Sequence, residues 1–302
     1  MDAADGEDAL TTPCFICGGE LGAAHTAAYR RCAGCGHETL REGQSQQFIL
    51  NDPPTLEDTN RLTRLDRFKR STLRQAVGGS KAVLADIGSA TGRFLHQNRD
   101  LVDQSFGLEV TPEALDFSRH VLGLNVVEDV RELPGNLTLI TAWHSLEHVP
   151  AAVLPDMLAH LAARLAPGGH FIVSVPNAQS NQYRWYGESY AYYDAPNHLH
   201  QFTHASLEAL MLGAGFRRRG EIDSWVYNLF GHAQGLLNRL TGSHNYLYYR
   251  FKRKQGQRQP GLDLANALLL PAALGLGCLL TAMDSLSHEK QGVITACFQP
   301  IN

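Results

Sequence analysis

Residues 83–95 read Val83-Leu84-Ala85-Asp86-Ile87-Gly88-Ser89-Ala90-Thr91-Gly92-Arg93-Phe94-Leu95. An apolar run, an acid, a glycine turn and a helix start follow in the order of a strand–loop–helix unit of a parallel sheet. Ser105-Phe106-Gly107-Leu108-Glu109-Val110 repeats the strand-then-acid pattern, with Glu109 twenty-three positions after Asp86. A carboxylate there can accept hydrogen bonds from ribose hydroxyls. Gly88 and Gly92 have no Cβ, so the loop can turn sharply and a ligand can approach its backbone. The loop reads D-x-G-x-x-x-G rather than G-x-G-x-x-G. A dinucleotide needs its pyrophosphate on a helix N-terminus, and an acid opening the loop disfavours that anion. Asp86 suits a cationic or zwitterionic cofactor instead, such as one carrying a sulfonium and an amino-acid tail. The plain alternative is an ordinary strand–turn–helix with a chance acid.

Four further stretches follow in order: Glu128-Asp129-Val130 ahead of Arg131-Glu132-Leu133-Pro134, Leu139 to Val149, Leu165 to Asn177, and His198-Leu199-His200-Gln201-Phe202-Thr203 with Leu207 to Phe216. Together with the glycine loop they resemble the ordered motifs of class I S-adenosylmethionine-dependent methyltransferases, over about residues 80–225. Leu146-Glu147-His148-Val149 is similar to the turn after that family's fourth strand, and Leu165-Ala166-Pro167-Gly168-Gly169 to the turn before its fifth. The resemblance implies a Rossmann-like α/β sheet, mostly parallel with the last strand antiparallel. It implies a cofactor site of Asp86, Gly88, Ser89, Gly92, Glu109 as the ribose acid, Asp129 and Val130 near the adenine, and His144. Ala90 departs from the family, in which many members carry glycine; a small residue still permits close approach.

With 302 residues, 44% hydrophobic and 19% charged, the chain can hold one large α/β domain and a small appendage. A net charge of −4 argues against a surface built on phosphate contacts. Met1 to Asp8 is acidic and has no apolar core, so no export signal is read there and a cytoplasmic location is expected. Four of six cysteines form Cys14-Phe15-Ile16-Cys17 and Cys32-Ala33-Gly34-Cys35. Two C-x-x-C knuckles bring four thiolates to one tetrahedral ion, with Gly18, Gly34 and Gly36 tightening the turns. This predicts a structural zinc ribbon ligated by Cys14, Cys17, Cys32 and Cys35. Alternatives are two disulfides, a redox pair, or His37 in place of Cys35. Cys278 and Cys297 read as core residues.

The expected organisation is a disordered tail over 1–12, the ribbon over 13–42, a linker and helix over 43–79, and the methyltransferase domain over 80–302. Leu62 to Ala76 has helical spacing and is expected beside the cofactor site. Tyr183, Trp185, Tyr186, Tyr190, Tyr192 and Tyr193 crowd a segment, 178–203, expected to cover the carboxyl end of the sheet; a ring-packed loop is the alternative. A helical insertion over 229–290 separates a sixth strand (220–226) from a last one (292–298). It holds a basic cluster, Arg250, Lys252, Arg253, Lys254 and Arg258, and twenty uncharged residues, Leu264 to Met283. The flanking strands are expected in one sheet, which argues against a single membrane span, as do Pro271, Gly275 and Gly277 within the run. Peripheral contact of 250–283 with the inner membrane face competes with a helical cap or dimer contact.

Methyl transfer requires alignment and an unprotonated nucleophile. His198 is the first choice of general base, with His144 the competitor; His198 and His200 alternate, so one of them faces the pocket. His144, Glu147 and His148 complete the catalytic candidates. The ubiquinone-pathway O-methyltransferases carry a similar E-x-x-E-H thought to hold a divalent ion. Here His144 replaces the first acid, leaving a divalent ion at the active site and a capping role for His148 both open. The expected function is methylation of a small-molecule acceptor, a hydroxyl of a sugar, polyketide, quinone or lipid-linked intermediate. RNA methylation with a zinc module, and a non-catalytic cofactor-binding scaffold at a membrane, are the alternatives. The few basic residues of the ribbon speak against nucleic acid; oligomeric state is open.

Overall fold

The computed structural model describes residues 13–41, 55–79, 82–252 and 258–301. The tail expected over 1–12 and most of the linker fall outside the described residues, as do residues 253–257 of the basic cluster.

The chain begins with short strands β1 (Leu21–Ala23), β2 (Tyr29–Cys32) and β3 (Glu38–Leu40). Helices α1 (Leu56–Asn60) and α2 (Arg64–Val77) follow. Thr63 and Asp66 cap α2 reciprocally, which sets its start just inside the expected Leu62. The main alternation is β4 (Val83–Ile87), α3 (Arg93–Asn98), β5 (Gln104–Leu108), α4 (Pro112–Asp116), β6 (Asn125–Val127) and β7 (Leu137–Trp143). It continues as α5 (Leu154–Arg164), β8 (Leu165–Pro176), α6 (Asn181–Tyr186), β9 (His200–Gln201), α7 (His204–Gly213) and β10 (Phe216–Glu221). Helices α8 (Trp225–Thr241) and α9 (Pro260–Asp284) precede the last strand, β11 (Val293–Pro300).

The large sheet has the order β10-β11-β8-β7-β4-β5-β6. Strands β4 to β8 pair in parallel and β11 is antiparallel to both neighbours, the α/β arrangement the sequence predicts. Parallel strands covered on both faces must be apolar throughout, and Leu84, Ala85, Ile140, Ala142, Phe171 and Val173 are buried accordingly. The chain builds outward from β4 through β5 to β6, then returns to the other side of β4 with β7. That reversal puts the topological switch point at the carboxyl ends of β4 and β7, where such sheets bind ligands.

Three features differ from expectation. The sixth strand is Phe216–Glu221 rather than 220–226, because Arg217-Arg218-Arg219 disguises an edge strand whose outer side meets water. Cys278 is exposed on α9 and is not a core residue; Cys297 is half-buried. The ribbon, expected as an appendage, shares its sheet with the later chain: the order is β1-β2-β3-β9. Glu38 pairs with Gln201 and Thr39 with His200, and the Leu40 amide donates to the Leu199 carbonyl at 2.9 Å.

Candidate active site

Asp86, next to last in β4, is fully enclosed and accepts a 2.6 Å hydrogen bond from Thr141 Oγ1 of β7. Burial pushes its carboxyl up to about 7, with Glu109 adding to the rise and Thr141 and Lys69 opposing it. Gly88 has φ 68°, and a Cβ there would stand 2.5 Å from that of Ser145. The glycine loop therefore packs against the turn that follows β7. Gly92 has φ 74° and its added Cβ would meet Leu124 at 2.5 Å. Ala90 occupies the left-handed region at φ 47°, which explains the family's preference for glycine there. Its amide donates to Glu109 Oε2 at 2.8 Å, while Glu109 Oε1 accepts from the amides of Val110 and Thr111. A carboxylate has about four acceptor directions, so one remains for a ribose hydroxyl. Ser89 Oγ and Ser145 Oγ are buried without hydrogen-bond partners among the described residues. Buried acids and unsatisfied hydroxyls at the switch point fit a polar, cationic nucleoside cofactor. Asp129 sits after β6, where its carboxylate caps the following turn and pairs with Arg131; Val130 packs on the core.

The second half of the site gathers around Glu147, whose side chain is wholly buried. His144 Nδ1 lies 3.3 Å from Glu147 Oε1 and His198 Nε2 lies 4.0 Å from it. Burial alone would raise the Glu147 carboxyl; the imidazoles of His144, then His198 and His148, outweigh it and hold the group down at about 2. Neither carboxylate oxygen completes a hydrogen bond among the described residues. His144 takes φ 54° at the end of β7, and its ring stacks on Tyr192 at 5.3 Å. With Nδ1 facing the carboxylate, its buried Nε2 has no hydrogen-bond partner among the described residues.

Glu147, His148 and His198 each offer a ligand atom within 4.8 Å of the others. His148 Nδ1 donates to the Asn197 carbonyl at 3.0 Å, so the lone pair is on Nε2, the tautomer metal-binding histidines usually adopt. His198 is held neutral, down to about 4, by burial and then by His148.

His200 turns the other way. Its Nε2 donates to the Val149 carbonyl at 2.9 Å, which leaves Nδ1 to accept from His37 Nε2 at 3.2 Å. His37 is thereby used inside the ribbon core, against Phe15 and Phe202, rather than as a metal ligand. The four thiols converge instead: Cys14 and Cys35 Sγ are 3.7 Å apart, Cys17 and Cys32 Sγ 3.4 Å, and all four lie within 4.8 Å of one another. Zinc–thiolate bonds of about 2.3 Å in a tetrahedron place sulfurs about 3.8 Å apart, so the donor set fits zinc.

Ribbon and active-site turn are joined directly. Tyr29 hydroxyl donates to the His198 carbonyl at 2.9 Å, and the Leu199 amide donates to the Glu147 carbonyl at 2.8 Å. Buried Glu38 ties Arg31 (3.0 Å) to the hydroxyl of Tyr183 (2.6 Å). Of the aromatic segment, Tyr183, Tyr186 and Tyr190 form a small core, Trp185 faces outward, and Tyr192 reaches His144. Sequence reasoning missed Tyr227 of α8, 5.0 Å from His144; Phe68, in the helix expected beside the site, packs on both Tyr227 and Trp143. A charged hollow between Glu208, Arg218 and Glu221 lies at edge strand β10 and shares no residue with the site.

A family model described as a methyltransferase domain matches residues 61–219, more than half of the chain. Among solved structures, the Burkholderia thailandensis 1,6-didemethyltoxoflavin-N1-methyltransferase with S-adenosylhomocysteine bound is 22% identical, covering 53% of this chain and 70% of that one (TM-score 0.40). An Archaeoglobus fulgidus SAM-dependent methyltransferase is 14% identical, covering 80% and 96% (TM-score 0.46). No curated protein sequence matches the chain.

Proposed function

This chain belongs to the methyltransferase-domain family and is an S-adenosylmethionine-dependent methyltransferase, and from that premise we propose that it methylates a hydroxyl of a bulky small-molecule acceptor. The observation that carries this reading is the dyad of His144 and ionised, buried Glu147 on the turn that packs against the glycine loop. S-adenosylmethionine supplies an electrophilic methyl on a sulfonium. Asp86, Gly88, Ser89, Gly92 and Glu109 hold it at the ends of β4 and β5, with Asp129 and Val130 beside the base.

The acceptor lies against the rings of Tyr192 and Tyr227. His144 Nε2 takes its hydroxyl proton while Glu147 fixes the tautomer and stabilises the imidazolium formed, the division of labour of a base and its orienting carboxylate. With S-adenosylmethionine bound, the new oxygen–methyl bond would be matched by loss of the carbon–sulfur bond, the sulfonium becoming a neutral thioether that would leave as product. The dyad geometry favours His144 over His198 as base, since Glu147 orients His144 more closely. His198 approaches the same carboxylate oxygen at 4.0 Å, with the His148 ring against its own. A divalent ion held by Glu147, His148 and His198 would polarise the same hydroxyl as a Lewis acid.

Zinc in the ribbon is structural in this reading: four thiolates leave no open position, and the ribbon strands brace the segment that carries His198. Transfer of labelled methyl from S-adenosylmethionine to phenolic, sugar and lipid-linked hydroxyl acceptors tests the reaction class. Turnover should fall by about 100-fold or more in His144→Ala while cofactor affinity holds. Full turnover by that variant would remove His144 as base. Loss of wild-type turnover on treatment with a chelator that leaves the ribbon zinc in place would transfer the role to the metal. Label appearing only in RNA, with retention lost at high salt, would overturn the acceptor class.

A further inference from the structure

We propose that α9 seats the protein on the surface of an anionic lipid bilayer, with its outward face in the headgroup–acyl boundary. Helix α9 is built inside out. The residues it buries against the rest of the protein are Asn266, Ala273, Gly277, Thr281 and Asp284, all small or polar. Its large apolar side chains face outward: Leu264 is 61% exposed, Leu268 71%, Leu279 70% and, just beyond the helix, Leu286 87%. Leu274, Leu276 and Met283 are exposed as well. Only 22% of its most apolar stretch is buried, so this is no core helix.

The way α9 is held supports the same reading. Gly277 crosses α8 so closely that a Cβ would stand 3.3 Å from the Ala233 amide nitrogen. His232 Nε2 and Asp284 Oδ2, both fully buried, meet at 2.8 Å, and Asn181 Nδ2 donates to Asp284 Oδ1 at 2.7 Å. Small residues at the crossing, polar side chains as glue and leucines outside are the packing pattern of helices whose surroundings are lipid. At 3.6 residues per turn, the exposed positions from Leu264 to Met283 span roughly 200° of the helix. One partner helix covers an apolar stripe of about 100°; an acyl layer covers the whole arc.

Charge identifies the kind of surface. The nine residues from Arg250 to Arg258 contain five cations and no acid, and they directly precede α9 in the chain. Basic residues at the edge of an apolar helix draw it to anionic headgroups. Both ends of the insertion return to one sheet, between β10 and β11, so the helix lies in the interface and does not cross. Helix α8, against which α9 packs, carries Tyr227 at His144, which places the acceptor side of the site one helix from the lipid.

Flotation of the full chain with vesicles of phosphatidylcholine, alone and with about a third phosphatidylglycerol, tests this directly. The protein is expected to float with the anionic vesicles and to be released by salt. The triple variant Leu264→Asn, Leu268→Asn, Leu279→Asn should partition on the order of 100-fold more weakly with unchanged S-adenosylmethionine affinity. Should the triple variant lose cofactor binding, Leu268→Asn alone gives the same reading with a drop of about 10-fold. Absence of flotation with anionic vesicles overturns the proposal, as does a variant that floats like the parent. A wild-type dimer in sedimentation equilibrium that Leu268→Asn makes monomeric also overturns it and assigns the face to a second copy of the chain.

Discussion

Replacing Glu147 by Gln keeps the shape of a wholly buried side chain and removes its charge. In the folded protein that carboxyl is held from 4.5 down to about 2 by three imidazoles, against the opposing effect of burial. Each factor of ten in acidity corresponds to about 1.4 kcal/mol, so the ionised form is favoured by about 3 kcal/mol over the neutral form that glutamine imitates. The sign follows from the lowered value: this stability is present above pH 4.5 and is lost as pH falls toward 2. Urea unfolding of zinc-loaded protein at pH 7.5 should show Glu147→Gln less stable by about 3 kcal/mol with an unchanged m-value. Its main-chain carbonyl still accepts from the Leu199 amide, so cofactor affinity should stay within about threefold. In the same variant the histidine titrations followed by NMR should move to lower pH, because the anion facing them is gone. A loss below about 0.5 kcal/mol, or histidine titrations that do not move, would refute the reasoning.

Glu109→Ala removes the acceptor of three backbone amides as well as the ribose contact, so S-adenosylmethionine binding measured by calorimetry should weaken by about 1–3 kcal/mol. The Asp86 carboxyl is raised from 3.8 to about 7, so its contribution to the stability of the unliganded protein is complete below 3.8 and is lost as pH rises through 7. A cationic cofactor favours the ionised form; affinity should therefore rise with pH up to about 7, with proton release on binding at pH 6.5, and Asp86→Asn should abolish both. Calorimetry in buffers of different ionisation enthalpy reads the proton count, and none released would contradict the role of Asp86. Cys14→Ser should lower bound zinc and thermal stability and cut methyl transfer through the Tyr29 and β3–β9 contacts, while S-adenosylmethionine affinity stays within about threefold. Normal zinc content in that variant would count against the ribbon.

The parts of this molecule that were legible in the sequence are those with local causes. The runs at Val83–Ile87 and Leu137–Trp143 are apolar because both faces of the sheet are covered, and Gly88 and Gly92 sit where backbone geometry and close packing demand them. The four thiols converge within one short hairpin. The parts hidden in the sequence depend on pairs far apart along the chain. Strand β9 has two residues and no periodicity, and its partner β3 lies about 160 positions earlier. For the same reason His200 read as a candidate for the pocket, although it serves a hydrogen-bond chain from His37 to the Val149 carbonyl. Tyr227 joins the site from the first turn of α8, just after the strand expected over 220–226, where no motif marks it. In α9 the apolar residues run all round the helix, so no periodicity marks which side is buried, and Cys278 looked internal on that account.

The central claim, that the switch point at the carboxyl ends of β4, β5 and β7 is an S-adenosylmethionine site, is tested most directly by calorimetric titration of the zinc-loaded protein with S-adenosylmethionine and, separately, NAD. Micromolar binding of the first, weakened in Glu109→Ala, and no binding of the second is the predicted result. A folded, zinc-loaded protein that binds NAD, or binds S-adenosylmethionine equally well without Glu109, would contradict the account.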